Sequence, residues 1–152
     1  MSIKRVAILL FLISIGHSVA FAQVESEVEQ VIKSLFEGMK TKNGQLLQDA
    51  FHPDALMHTV VVGDDGAKLG SNQVQDFVSR VVNTPASTQL DERILDYQIK
   101  IDGDMASAWT PYRFYVNDSF SHCGVNSLQL IKTAEGWKIT YIIDTRKKQG
   151  CD

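Results

Sequence analysis

Apolar residues recur every three or four positions after residue 23, which is the spacing of one buried stripe on an amphipathic helix. Asn43-Gly44 ends this helix. A short second helix over residues 46–51 ends at His52-Pro53, because the residue before a proline disfavours helical geometry. The same spacing predicts a third helix, which Ser71 caps and Asn83-Thr84-Pro85 ends. The apolar residues of the first and third helices are Val24, Val28, Val31, Ile32, Leu35, Phe36 and Met39, then Val74, Phe77, Val78, Val81 and Val82.

Beyond Pro85 the pattern changes to β-rich runs separated by tight-turn residues. An earlier run of this kind covers residues 55–62 and turns at Gly63–Gly66. The later runs predict strands near residues 89–99, 105–116, 119–132 and 137–145, with turns at Asp102-Gly103, Asn117-Asp118 and Ala134–Gly136. Helices followed by an antiparallel meander predict an α+β fold, with the helices packed on one face of a mainly antiparallel sheet.

Strand side chains alternate between the two faces of a sheet, so His122 and Cys123 are expected to point in opposite directions. A two-residue turn at Asn117-Asp118 sets Arg113 opposite His122, and a four-residue turn over residues 133–136 aligns the last two strands. This register predicts which residues lie beneath the helices. They are Met105, Trp109, Arg113, His122, Asn126, Leu128, Leu130, Trp137, Ile139, Tyr141 and Ile143.

Polar side chains interrupt the apolar pattern at one end of this inner face. Arg113, His122 and Asn126 lie where a core would require carbon. An unpaired buried polar group costs about 1–3 kcal/mol. Their presence therefore predicts a pocket that holds water or a ligand.

The opposite, outer face collects Cys123 and mostly small residues. Cys151 follows the last strand, and Gly150 allows the chain end to turn back, so a disulfide between Cys123 and Cys151 can close a long loop. Such a bridge would stabilise the fold by about 3 kcal/mol. The alternative is a buried thiol on the strand and a free cysteine in the tail, which could cross-link two chains. The same face carries Thr110, Tyr112 and Val125, a larger apolar patch than a single domain usually exposes, which predicts a homodimer interface.

The first 22 residues predict an export signal. Lys4 and Arg5 precede an apolar run over residues 6–15, and Ala20-Phe21-Ala22 forms a cleavage site before Gln23. The run is shorter than the roughly 20 residues of a membrane span, so no stable membrane anchor is expected. Residues 23–152 are then a single domain in a periplasmic or secreted protein.

Composition removes several classes of function. The chain has a net charge of −3, and it lacks a Lys/Arg cluster of the kind that binds nucleic acid. The predicted mature chain contains His52, His58 and His122 without metal-site spacing, so no metal is expected. Glycine motifs for nucleotides are absent from the sequence, so no cofactor is expected.

Three stretches carry a family resemblance: LFEGMKTKNGQLLQDAFHPDALMH, DGDMASAW and GWKITYIID. Their order resembles the nuclear transport factor 2-like superfamily and, more narrowly, its exported bacterial, lumazine-binding-like members, over roughly residues 25–146. The resemblance implies a cone-shaped, cystatin-like fold, in which a curved sheet wraps around the helices and leaves an open pocket. It also implies dimers that form through the outer face of the sheet.

The superfamily includes isomerases, dehydratases, epoxide hydrolases and cyclases, together with many members without demonstrated chemistry, so the fold does not decide the function. In the isomerases a base aspartate stands five residues after an Asp that precedes Ala. Counted from Asp54, that position is Thr59, which cannot abstract a carbon-bound proton at neutral pH. The carboxylate set of the epoxide hydrolases has no counterpart that can be matched. The resemblance therefore supplies no catalytic residue.

The predicted ligand pocket consists of His58, Thr59, Trp109, Arg113, His122, Asn126 and Tyr141. Trp109 and Tyr141 are either core residues or flat walls for a planar ligand. We expect non-catalytic binding of a small apolar or aromatic molecule, because no carboxylate is placed beside His122. The alternative is a cofactor-independent isomerase, dehydratase or cyclase that uses His122 as its acid or base. A carboxylate within hydrogen-bond reach of His122 would favour this alternative.

Cleavage of the export signal can be tested directly. We expect the secreted chain to begin at Gln23, and intact-mass measurement of the exported protein checks this. A mature protein that retains Met1 would contradict the prediction.

Overall fold

The computed structural model describes the backbone of residues 3–151 and the side chains of residues 22–151, so the side chains of the predicted export signal up to residue 21 lie outside the described residues. The helices are α1 (Ile3–Thr41), α2 (Gly44–Ala50) and α3 (Val74–Val82). The strands are β1 (Phe51–Gly63), β2 (Gly66–Asn72), β3 (Leu90–Ile94), β4 (Gln98–Asp102), β5 (Met105–Val116), β6 (Ser119–Thr133) and β7 (Gly136–Thr145). Within the described residues, no helix has the length and apolar character needed to cross a membrane.

Local hydrogen bonds and apolar burial fix the first two helices. Asn43 caps α2, because its Oδ1 accepts hydrogen bonds from the backbone N–H groups of Gln45 and Leu46, at 3.1 and 3.2 Å. The apolar stripe of α1 forms the centre of the core, where Val28 and Ile32 are fully buried. These contacts confirm the helical pattern that the sequence predicts.

One helix start is different from the prediction. Ser71 does not cap α3, which begins after Gln73. Ser71 lies instead in β2, where it pairs with His58 of β1. The Gly63–Gly66 turn therefore closes a β-hairpin, and the apolar periodicity of the sequence gives no sign of its short second strand.

The strands form one mixed sheet in the order β2-β1-β7-β6-β5-β3, and β4 also pairs with β5. The β1–β7 pair is parallel, whereas the other pairs are antiparallel. The sheet is curved and unclosed, with the helices on its inner face. The predicted α+β fold is thus confirmed, although the single strand predicted over residues 89–99 is two strands separated by residues 95–97.

Two single-residue bulges change the predicted register. Between β5 and β6, Tyr115 pairs with Phe120 and Phe114 pairs with His122, which leaves Ser121 as an extra residue. Between β6 and β7, the pairing shifts in the same way at Thr140. A shift of one residue exchanges the two faces of a strand. The predicted pairing of Arg113 with His122 is therefore wrong.

The exchange moves several residues to the face opposite the predicted one. Thr110 and Tyr112, which were assigned to the outer face, are 0% and 2% exposed and face inward. Trp109 is 50% exposed on the outer face. On β7, Ile142 and Asp144 lie inside, paired with Leu128 and Asn126. The predicted inner positions of Arg113, Tyr141 and Ile143 are likewise wrong.

A disulfide between Cys123 and Cys151 ties down the C-terminal segment, residues 146–151. The backbone of Lys147 pairs with Cys123 through two hydrogen bonds of 2.9 Å. Arg113 donates from Nε and Nη2 to the carbonyl oxygen of Cys151, at 3.2 and 2.9 Å. These contacts hold the segment against β6.

Gly124 is required where this segment leaves β7. A Cβ atom at this position would lie 1.8 Å from the carbonyl oxygen of Thr145 and 2.9 Å from the Tyr112 hydroxyl. The absence of a side chain lets Tyr112 cross over β6, and its hydroxyl donates a hydrogen bond of 2.9 Å to Thr145 O. Glycine at this position thus permits the close approach of three strands.

Candidate functional site

A cavity opens between α1, α3 and the inner face of the sheet. It has two adjoining parts of about 280 and 90 Å³, which together we call the central cavity. The residues that line both parts are Met39, Phe77, Arg80, Glu92, Asp144 and Arg146.

Most of the remaining wall is apolar or aromatic. The larger part is bounded by Val81, Leu90, Tyr112 and Phe114, and the smaller part by Leu35, Phe36, Met57 and Ile142. The charged and polar side chains gather where β3, β6 and β7 face the helices. An apolar cavity with a few convergent polar groups is typical of a small-molecule site.

Glu92 projects from β3 into the central cavity. Asn126 Nδ2 donates a hydrogen bond of 2.7 Å to its Oε1, and Asn126 is itself buried. Desolvation by the surrounding protein raises the pKa of Glu92 to about 7, and the nearby Asp144 raises it further, against the opposing effects of Asn126 and Arg146. Glu92 is half-buried; it lines both parts of the central cavity and also borders a groove between α1 and β3. Glu92 can therefore hold or release a proton near neutral pH.

Asp144 lies next to Glu92 and is neutralised by a guanidinium. Arg146 Nε donates to Asp144 Oδ2 at 2.7 Å. The Tyr112 hydroxyl is 3.4 Å from the same carboxylate oxygen, a longer contact than its bond to Thr145 O. Burial raises the pKa of Tyr112 far above its usual value, so the hydroxyl remains a donor.

His122 lies in the larger part of the cavity, between two aromatic rings. Its ring centroid is 5.0 Å from that of Phe114 and 5.8 Å from that of Tyr112, and its Nδ1 is 3.0 Å from Ser121 Oγ. Burial lowers the pKa of His122, and Arg146 lowers it further, while Asp144 acts in the opposite direction. The imidazole is therefore neutral at neutral pH.

The structure brings some of the predicted pocket residues together and separates the others. His122 and Asn126 line the central cavity, and His58 borders its smaller part. The ring of His58 contacts Tyr141, with Nδ1 and Oη 3.2 Å apart. Trp109, as described above, lies on the outer face and does not line the cavity.

Three further predicted positions lie away from the cavity lining. Arg113 contacts the C-terminal segment, and Tyr141 pairs with Gln129 and Leu56 on the outer face. Thr59 pairs with Asp144, and its buried Oγ1 has no hydrogen-bond partner among the described residues. The placements of Arg113 and Tyr141 follow from the two bulges, which turn β5 and the end of β7 over, whereas Thr59 keeps the inner face that the sequence predicts.

The charged residues of the cavity were not predicted from the sequence. Glu92 had a visible signal, because it alternates with Leu90 and Ile94 and so occupies an apolar position of a half-buried strand. Asp144 and Arg146 had no such signal in the sequence, since the predicted register placed both on the outer face of the sheet. Within the described residues, no group of three His, Cys, Asp or Glu side chains could hold a metal ion.

The arrangement can bind a molecule and exchange a proton with it. Glu92 and the neutral His122 are groups that titrate near neutrality or below, and both face the same enclosed space. Such groups act as general acids and bases when a substrate lies within hydrogen-bond distance.

The raised pKa of Glu92 predicts how stability depends on pH. The folded protein binds this proton more tightly than the unfolded chain, whose value is near 4.5, so the stabilisation is full below pH 4.5 and is lost as the pH rises through about 7. We expect Glu92→Gln to raise the free energy of unfolding at pH 8 by at most about 3 kcal/mol. Solvent in the cavity screens the charge of Glu92 and makes this increase smaller. Urea unfolding at pH 5 and pH 8 measures this.

Glu135→Gln, in the exposed turn between β6 and β7, is the matched control. Its free energy of unfolding should equal that of the wild type at both pH values. A Glu92→Gln variant whose difference from the wild type is the same at pH 5 and pH 8 would contradict the prediction.

Three solved structures show the same fold. A nuclear transport factor 2-like protein of unknown function from Shewanella baltica is 22% identical, over 85% of this chain and 98% of that one, with a TM-score of 0.63. One with a cystatin-like fold from Novosphingobium aromaticivorans is 12% identical, over 91% and 92%, with a TM-score of 0.70. A superfamily member from Salmonella enterica serovar Typhimurium is 17% identical, over 86% and 96%, with a TM-score of 0.64.

The sequence itself gives a narrower assignment. No curated protein matches the chain. The model of the family described as "Putative lumazine-binding" matches residues 23–141, which is most of the chain and all of its helices and strands except the first half of α1 and the end of β7. The chain therefore belongs to this lumazine-binding-like family of the nuclear transport factor 2-like superfamily.

Proposed function

We propose that the protein binds a small molecule with an apolar body in the central cavity. The observation that carries this proposal is the composition of the cavity wall, where apolar side chains from two helices face a polar cluster around Glu92 and Asn126. The volume of the larger part is near the lower limit of about 300 Å³ for small-molecule sites. The ligand is therefore a compact molecule, and the polar cluster determines its orientation.

A second function is favoured by one specific observation, the presence of Glu92 in the same cavity as His122. The sequence alone placed no carboxylate beside the histidine, and this was the reason to prefer passive binding. No hydrogen bond joins Glu92 to His122 among the described residues, but both line the larger part of the cavity. A carboxyl group with a pKa of about 7 and a neutral imidazole in one cavity suit proton transfer to and from a bound substrate. The second candidate is thus a cofactor-independent isomerase or dehydratase, in which Glu92 is the base.

Two features, one of the sequence and one of the structure, support the proposal that the protein is exported to the periplasm or secreted. The predicted signal precedes the domain, and the Cys123–Cys151 disulfide suits an oxidising compartment. The ligand is then a molecule available outside the cytoplasm.

Occupation of the cavity can be tested by filling it. Leu90 lines the larger part, so Leu90→Trp should exclude the ligand, whereas Leu95→Trp, at an exposed position next to the same strand, should not. We expect native mass spectrometry of the exported protein to show a bound small molecule in the wild type and in Leu95→Trp, and its loss in Leu90→Trp. A wild-type chain without bound mass, or equal occupancy in both variants, would count against the proposal.

The two candidate functions differ in the fate of that molecule. If the protein is an enzyme, incubation of the identified molecule with the wild type changes its structure or exchanges one of its hydrogens with solvent, and Glu92→Gln stops this change. If it is a binding protein, the molecule is recovered unchanged from both.

We also propose a homodimer that forms through the outer face of the sheet. The exposed apolar residues of this face differ from those predicted, because the bulges turn β5 over; they are Leu56, Leu69, Trp109, Met105 and Ile131. Met105, Trp109 and Ile131 lie on β5 and β6, whereas Leu56 and Leu69 lie on β1 and β2. The half-buried Tyr141 and Ile143 of β7 lie between the two groups. Exposed apolar faces of this kind mark interaction sites.

Trp109 provides the test of the dimer. We expect the wild type to sediment as a dimer at tens of micromolar and Trp109→Arg as a monomer, because a buried unpaired charge opposes association. Val82→Arg, at an exposed position of α3 on the opposite side of the sheet, should remain dimeric. A monomeric wild type would refute the proposal.

A further inference from the structure

Arg80 is the cation of the central cavity that lacks a charged partner. It lines both parts of the cavity, and its Nη2 donates to the side-chain oxygen of Asn72 at 3.2 Å. Among the described residues it forms no ion pair with a carboxylate. Its remaining N–H groups are therefore available to a molecule in the cavity.

The other charges of the cavity are paired or can be lost by protonation. Arg146 is paired with Asp144, and Glu92, which accepts a hydrogen bond from Asn126, loses its charge as the pH falls through about 7. Lys148, in the C-terminal segment, adds positive potential near His122. The side of the cavity near Arg80 is therefore the place where a negative charge is best accommodated.

The apolar wall lies next to this cation. Met39 and Phe77 line both parts of the cavity together with Arg80, and Phe114 lies across the larger part. A ligand that satisfies both features has a charged head and an apolar body. A carboxylate is the head that matches a guanidinium best, since the two groups can form two parallel hydrogen bonds.

We propose that the ligand of the central cavity is a small amphipathic anion, whose carboxylate binds Arg80 and whose apolar body lies against Met39, Phe77 and Phe114. This inference rests on the proposed binding function and specifies its ligand class. The opposite possibility, a cationic ligand held by Glu92 and Asp144, makes the reverse prediction for the same probes.

The proposal predicts a dependence on pH. The groups that line the cavity with Glu92 are Asn126 and His122 of β6, Asp144 of β7, Arg146 of the C-terminal segment, Tyr112 and Phe114 of β5, His58 of β1 and Arg80 of α3. Protonation of Glu92 removes a negative charge from the cavity, so a bound anion is favoured as the pH falls through about 7. Protonation of His122 at lower pH acts in the same direction. Glu92→Gln should remove the pH dependence near neutrality, because it keeps an acceptor for Asn126 without the charge.

Three probes with the same apolar body separate the alternatives: phenylbutyrate, phenylbutanol and phenylbutylamine. Isothermal titration of the wild type at pH 6 should show the acid binding about tenfold more tightly than the alcohol, and the amine binding most weakly. Arg80→Gln should lower the affinity for the acid to that for the alcohol. Lys68→Gln, which removes an exposed cation of β2, should keep the preference for the acid.

Arg80→Lys, which keeps the charge without the planar fork, should retain part of the preference, and it tests the charge independently of any effect of glutamine on the fold. Equal binding of acid and alcohol would leave the binding function standing and overturn the anion proposal. Tighter binding of the amine, or an unchanged acid affinity in Arg80→Gln, would also overturn it. Failure of all three probes to bind the wild type would overturn the anion proposal, whereas the proposed function is decided separately by the native mass spectrum of the exported protein.

Discussion

Strict alternation of side chains along a strand is the constraint on which the site depends, and the bulges at Ser121 and Thr140 fix its phase. Each bulge adds one residue to one strand, so every side chain beyond it lies on the face opposite to the one that a register without the bulge would give it. The resulting inner row crosses the sheet through Thr110, Asn126, Asp144 and Thr59. Polar side chains thus meet in the middle of an otherwise apolar face, and the cavity forms where the helices do not cover them.

The C-terminal segment completes this arrangement by continuing the line of β7 along β6. Its disulfide and its backbone bonds to Cys123 hold the chain end, and Arg146 is thereby kept beside Asp144. Without Arg146, two carboxyl groups would face each other in a poorly solvated space, which is unfavourable for both. A covalent bond on the outer face of the sheet therefore supports the charge balance of the inner face.

Much of the fold follows from the sequence. The helices follow from apolar periodicity, and most strands from the positions of their turns, because both signals are local. The alternation along β6 also holds, since His122 lines the cavity and Cys123 forms the disulfide. The bulges could not be predicted, because Ser121 and Thr140 are residue types that also occur in regular strands, and neither position has a glycine that would mark a bulge. For the same reason the sequence did not place Asp144 and Arg146 in the site, although Glu92 stands out in the pattern of β3.

One edge of the sheet consists of two short strands, β3 and β4, instead of one long strand, and this affects how the sheet can pair with other chains. β3 and β4 both pair with β5 and have five residues each, and β2, at the opposite edge, contains two glycines and a lysine. Short, interrupted edges offer few consecutive unpaired N–H and C=O groups to a foreign strand. The sheet is therefore protected against growth by strand addition and amyloid-type stacking, and stable contacts with other chains are left to the faces of the sheet.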